Sequence, residues 1–195
     1  MNRVRISILA SIIVPAALAA QQPSATPPQP VANPITASFK TFGARYGGWL
    51  VQAFDSIPAS KYSYKPTPVQ QTFGYIAQHL EDANYQLCAL FSATPRTMTA
   101  RDSLADTVKA MWPKDTLVAR LRASLTYCDN AFAKVDDTKL ADELSVGPPA
   151  AGRKTVRARL MIVFVADLAE HYAQVASYMR LNGMIPPSAL PRPRS

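Results

Sequence analysis

TVRARLMIVFVADLAEHYAQVASYMRLNG, Thr155 to Gly183, is the longest and most apolar helical pattern in the 195-residue chain. Phe164, Asp167, His171, Val175 and Tyr178 recur in steps of three and four, the spacing that lines up one face of an α-helix. Asn182-Gly183 supplies a C-terminal stop, because glycine takes the left-handed conformation at no steric cost. A helix over 155–181 is therefore expected, with an aspartate and a histidine on its otherwise apolar inner face.

Working outward, three more segments carry the same period. Leu117, Leu121, Leu125, Cys128 and Phe132 predict a helix from Lys114 or Asp115 to about Val135, broken by Asp136-Asp137. Phe73, Ile76, Leu80, Ala83, Leu87 and Leu90 predict one from Thr72 to Ser92, which Pro95 cannot continue. Phe39, Phe42, Tyr46, Trp49, Leu50 and Phe54 mark a first helix over 35–54, where Gly43, Gly47 and Gly48 point to close packing of another helix. Between the first two lies a Pro/Ser loop, with Tyr62 and Tyr64 as expected packing anchors. Residues 96–113 read as a connector with one helical turn near 104–111, and 140–151 as a loop. No segment alternates with period two, so no strand is expected. The fold class is all-α: a four-helix bundle, up-down with one long crossover.

The ends have a different composition. Arg3 and Arg5, the apolar run from Ile6 to Leu18 and Ala17-Leu18-Ala19 form a secretory signal over 1–20, cleaved next to Ala19 or Ala20. Its apolar run falls short of the about 20 residues a membrane span needs, so no stable membrane insertion is expected. Residues 21–34 form a Pro/Gln-rich linker, 35–187 the bundle and 188–195 a Pro/Arg tail. A periplasmic or secreted location follows. In that oxidising setting Cys88 and Cys128, the only cysteines, are a disulfide candidate. The net charge of +8 includes Arg3, Arg5, Arg192 and Arg194; what remains is scattered, with no basic stripe interleaved with aromatics. Nucleic acid is not an expected partner.

The chain has two histidines, His79 and His171, each in the middle of an expected helix. His79, three residues after Ile76 and four before Ala83, lies on or at the edge of the buried stripe. Asp167 precedes His171 by four residues, which stacks the two side chains on one face. A carboxylate there is costly to bury unless it is paired or coordinated. His79, Asp167 and His171 converging in the core would make a two-imidazole, one-carboxylate site for a first-row metal with open positions. Spacing alone equally allows Asp167 to hydrogen-bond His171 or to face a water-filled groove.

Three runs sharpen this reading: Lys61-Tyr-Ser-Tyr-Lys-Pro-Thr-Pro68, Phe73-Gly-Tyr-Ile-Ala-Gln-His-Leu-Glu-Asp82, and Asp167-Leu-Ala-Glu-His-Tyr-Ala-Gln174 followed by Arg-Leu-Asn-Gly and Ile-Pro-Pro187. Together they resemble the DinB-like (DinB/YfiT) family of metalloenzymes over about 35–187. The resemblance implies a four-helix bundle with one long crossover, often a homodimer, and a divalent metal, commonly zinc or nickel, held by three histidines. His79 and His171 match two of them, and Asp167 stands where the third falls. Aspartate can ligate the same metals, which leaves open a site that survives as two histidines plus a carboxylate, one that has lost affinity, or one whose preference has shifted toward iron or manganese. Tyr172 and Gln174 match the family run and are expected to pack and hydrogen-bond within the bundle. Glu81 and Glu170 are assigned by helical phase to the surface or the next helix, with a solvated face expected. The resemblance leaves two functions open: a metal-dependent enzyme of hydrolase or thiol-transferase type acting on a small molecule, or a non-catalytic secreted binding module with a degenerate metal site.

Overall fold

The computed structural model describes residues 30–147 and 152–191. The expected signal over 1–20, most of the expected linker and the end of the tail lie outside the described residues. Four long helices carry the fold: α1 (Pro34–Ser56), α2 (Phe73–Ser92), α4 (Lys114–Phe132) and α5 (Arg157–Leu181), with a single turn, α3 (Asp106–Lys109), in the connector.

Side-chain pairs give the topology. Glu81 meets Arg120, Asn84 meets Ser124, Cys88 is bridged to Cys128 and Phe91 stacks near Phe132, so α2 and α4 run parallel. Phe73 meets Tyr178 and Phe91 meets Phe164, so α5 runs antiparallel to α2. Lys114 at the start of α4 donates to the Asp55 carbonyl at the end of α1, which makes that pair antiparallel. The parallel pair α2 and α4 requires residues 93–113 to travel the length of the bundle. This is the long crossover. The core lies where the four helices meet, with Leu50, Phe54, Phe73, Leu80, Phe91, Leu121, Phe164 and Leu168 at no more than 1 % exposure.

Local chemistry fixes the helix ends. Thr72 caps α2, its hydroxyl accepting the Tyr75 amide at 3.1 Å. Pro34 opens α1, where a missing N–H is no loss. The Asp137 carboxylate, from the far end of α4, accepts the Ile35 and Thr36 amides at 3.0 and 2.8 Å. Gly183 ends α5 with φ +71°, as its sequence position implied. Gly43 and Gly47 do receive neighbours, Phe164 and Leu125, whereas Gly48 faces open space. Gly74 is required by backbone: a Cβ there would lie 2.3 Å from the Ala110 carbonyl oxygen.

Two sequence expectations need correction. The stretch 140–156 is not all loop and helix: Glu143–Val146 (β1) pairs antiparallel with Arg153–Val156 (β2), Leu144 opposite Thr155. Thr155, expected in the last helix, belongs to this hairpin, and α5 starts at Arg157. The strands have four residues each, too short for alternation to rise above background. α4 stops at Phe132 rather than Val135, because residues 133–139 fold into turns that bring Asp137 to α1. The Cys88–Cys128 bridge is present, with Cα atoms 5.2 Å apart, and ties α2 to α4. Past α5 the chain stays on the bundle: the Ser188 amide donates to the Tyr172 hydroxyl at 2.7 Å. Among the described residues no helix is long and apolar enough to cross a membrane.

Candidate metal centre

The antiparallel packing of α2 on α5 brings His79 opposite the turn that carries Asp167 and His171. Asp167 Oδ1 lies 3.7 Å from His79 Nε2 and 3.6 Å from His171 Nε2. One ligand atom from each of the three residues falls within 4.8 Å of the others. The imidazole centroids are 4.8 Å apart with the rings inclined at 65°. Access is graded: the His79 side chain is 37 % exposed, Asp167 22 % and His171 11 %. The cluster thus has one wet side, at His79, and one dry side, at His171.

Both Asp167–imidazole distances exceed hydrogen-bond length. The other carboxylate oxygen, Oδ2, is buried and has no hydrogen-bond partner among the described residues. A simple Asp167–His171 hydrogen bond in a closed core is therefore not what this chain builds. The Asp167 carboxylate raises the His79 imidazole above its ordinary pKa, against the opposing effect of burial, with smaller contributions from Asp106 and Asp82.

His171 is held from behind. Its Nδ1 lies 3.0 Å from Gln174 Oε1, and Gln174 Nε2 donates to the Tyr178 hydroxyl at 3.0 Å. Tyr172 stacks on Trp49 with centroids 5.1 Å apart and accepts the Ser188 amide. Both residues pack and hydrogen-bond as the sequence suggested.

Glu170 is exposed as expected, but Glu81 is not on a solvated face. It is buried, and Arg120 clamps it with two bonds, from Nε at 2.8 Å and Nη2 at 2.6 Å. Arg120 also donates to Asp102, which Arg96 reaches at 2.7 Å. Asp102 in turn accepts the Thr99 amide and hydroxyl, both at 2.7 Å. Lys109 joins Asp82 and Asp106 in the same layer. Burial pushes Glu81 above the usual carboxylate range despite Arg120. Burial also pushes Asp102 up, but the Thr99 and Arg120 hydrogen bonds and the Arg96 charge bring it well below that range. Helical phase alone places Glu81 beside the next helix. Its burial depends on arginines 15 to 39 residues away.

The donor set suits a divalent cation. Two imidazole nitrogens and a carboxylate oxygen converge, and an orphaned buried oxygen stands beside them, the situation that coordination or a bound water relieves. The arrangement also leaves one side free on the His79 face.

Comparison with known proteins bears on the same elements. The chain aligns at TM-score 0.59 and 14 % identity with a DinB-like protein from Bacillus subtilis, covering 80 % of this chain and 96 % of that one. A DinB-like protein from Bacillus cereus gives 0.60 and 15 %, over 77 % and 95 %. A mutant of mycothiol-dependent maleylpyruvate isomerase gives 0.54 and 11 %, over 72 % and 59 %. No curated protein sequence matches the chain. The DinB superfamily profile matches residues 49–175, more than half the sequence, from the end of α1 through both histidines and Asp167, and the chain belongs to that superfamily.

Proposed function

We propose that this protein is a divalent-metal-dependent enzyme of the periplasm or cell exterior, with His79, Asp167 and His171 as its metal ligands. The observation that carries the reading is the convergence of two imidazole nitrogens on a carboxylate that has one buried, unpartnered oxygen. Zinc or nickel suits the imidazoles, and the carboxylate admits iron or manganese. A cation bound there would supply Lewis acidity and would acidify a water or a thiol.

The chain's own residues supply the rest. Asp167 brings negative charge between the two rings and so balances a cation. His171, the drier ligand, is anchored within α5. His79, the wetter one, leaves its side of the cluster open to a small-molecule substrate. The surrounding core, Leu80 and Leu168 included, keeps bulk water to that one side. Of the two reaction types, hydrolysis fits the compartment better, because low-molecular-weight thiols are scarce outside the cytoplasm. Two features support that compartment: the N-terminal signal pattern and the Cys88–Cys128 bridge.

The test is elemental analysis of protein purified from the periplasm without chelator or histidine tag, beside His79→Ala and Asp167→Ala. Near-stoichiometric metal in the wild type, lost in both variants, is the expected result. The metal-loaded protein should then hydrolyse activated esters or amides faster than the stripped protein. A wild type that takes up none of zinc, nickel, iron or manganese would sink the enzyme reading. It would leave the second one, a non-catalytic binding module, which the aspartate in place of a third histidine favours.

A further inference from the structure

We infer that Gln174, itself held by Tyr178, is the positioning residue that sets the His171 tautomer and aims Nε2 at Asp167. The affinity part of this inference rests on the metal reading above; the tautomer part does not.

The argument is one of donors and acceptors. An amide oxygen can only accept, so Gln174 Oε1 at 3.0 Å from Nδ1 requires the proton on Nδ1. A neutral imidazole carries one N–H, which leaves the Nε2 lone pair free on the side where Asp167 Oδ1 lies, 3.6 Å away. In the observed orientation Gln174 Nε2 donates to the Tyr178 hydroxyl at 3.0 Å, and that bond goes with Oε1, rather than Nε2, standing against Nδ1. Tyr178 is itself fixed: it is 2 % exposed and sits edge-on to Phe73 and Tyr64, with centroids at 5.6 and 6.2 Å. The Tyr64 carbonyl accepts the Phe73 amide where α2 begins. A continuous path therefore runs from the Pro/Ser loop through Tyr64, Tyr178 and Gln174 to His171. The spacing 171, 174, 178 keeps its last three members on one face of α5. No corresponding bond to another residue holds the His79 ring among the described residues, so the two histidines are held differently.

The experiment compares wild type, Gln174→Met, Gln174→Glu and Tyr178→Phe. Long-range nitrogen–proton NMR at pH 8 reads the His171 tautomer in protein stripped by chelator, and competition with a chromophoric chelator reads zinc affinity. The wild type should show the proton on Nδ1. Gln174→Met should show a mixture and bind zinc roughly 10- to 100-fold more weakly, the usual effect of removing a ligand's hydrogen-bond partner. Gln174→Glu, whose carboxylate accepts the same bond, should restore both readouts. Tyr178→Phe should move them the same way by less, and it replaces Gln174→Met should that variant not fold.

A wild-type proton on Nε2 overturns the inference. So does an unchanged tautomer in Gln174→Met, even with weakened zinc binding, since Gln174 would then act through packing. A wild type that binds no zinc fails the metal reading, while the tautomer series still decides the role of Gln174.

Discussion

Helix α2 carries two polar clusters two residues apart, and they are built on opposite terms. Glu81 faces α4 and the crossover, where every charge has an opposite charge in reach: two bonds from Arg120, Arg96 on Asp102, Lys109 on Asp82. His79 faces α5, where one carboxylate stands between two imidazoles beyond hydrogen-bond distance from both and keeps an oxygen unpartnered. Burial is deeper in the first cluster, and solvent reaches the second. A saturated buried network holds the long crossover against the bundle. An unsatisfied, half-open one is where a protein leaves room for a ligand. The comparison can be broken at either end, and the stability effects should differ in size and in sign.

The largest effect is expected from Arg120→Met. It leaves Glu81 and Asp102 buried with only Arg96 between them, and breaking such a pair typically costs about 3–5 kcal/mol. Urea unfolding should show that loss while zinc binding in the folded fraction stays near wild type. Equal stability would mean that the network is ornamental. Next comes the disulfide on the same α2–α4 seam. Reduction, or Cys88→Ala with Cys128→Ala, opens a 40-residue loop and should cost about 4 kcal/mol. Thermal melts with and without reductant read it, and an unchanged midpoint would show that the bridge does not constrain the chain.

How far the sequence foretold these two clusters follows from how local their information is. The convergence of His79, Asp167 and His171 was legible because a four-residue spacing within one helix already stacks Asp167 and His171, and the phase of His79 leaves it at a buried edge. The helices were legible for the same reason. Glu81 was misread because nothing near it in sequence announces Arg120 or Asp102, which arrive on α4 and the crossover. The hairpin at 143–156 escaped because four-residue strands leave too few residues for a period. Gln174 stood in plain view three residues after His171. Its i, i+3 spacing is the signal that could have named His171 as the partner of the hydrogen bond expected of it.

A smaller effect separates the clusters by pH. Asp102 is held below the usual carboxylate range in the folded state, so its folded pKa is depressed. Such a group adds stability that is full above its unfolded value, near 4, and is lost as pH falls through the folded value. Wild-type melting temperature should therefore drop as pH falls below about 4, more steeply than in Asp102→Asn, which has no proton to take up there. Parallel slopes for the two proteins would remove Asp102 as a source of acid sensitivity.

The smallest stability effect, and one opposite in sign, is expected from Asp167→Asn. In the wild type, stripped of metal by chelator, Asp167 keeps a buried oxygen without a partner, and that costs stability. An asparagine removes the charge, and its amide can donate to the free nitrogen of a neighbouring imidazole. At pH 8.5 the variant should match or exceed the wild type, by up to about 1 kcal/mol. The sign should change toward acid. Asp167 raises the His79 pKa, and a raised folded pKa contributes stability that is full below the unfolded value and lost as pH rises through the folded one. Losing that contribution should leave Asp167→Asn less stable than wild type near pH 5. Over the same range the variant's zinc affinity should fall at least tenfold, since a neutral amide is a poor substitute for a carboxylate ligand. A residue whose replacement helps the alkaline fold while removing the ligand is retained for chemistry rather than for packing. Were Asp167→Asn instead to destabilise the protein by several kcal/mol at pH 8.5, Asp167 would belong with Glu81 as a structural charge, and the contrast between the two faces of α2 would collapse.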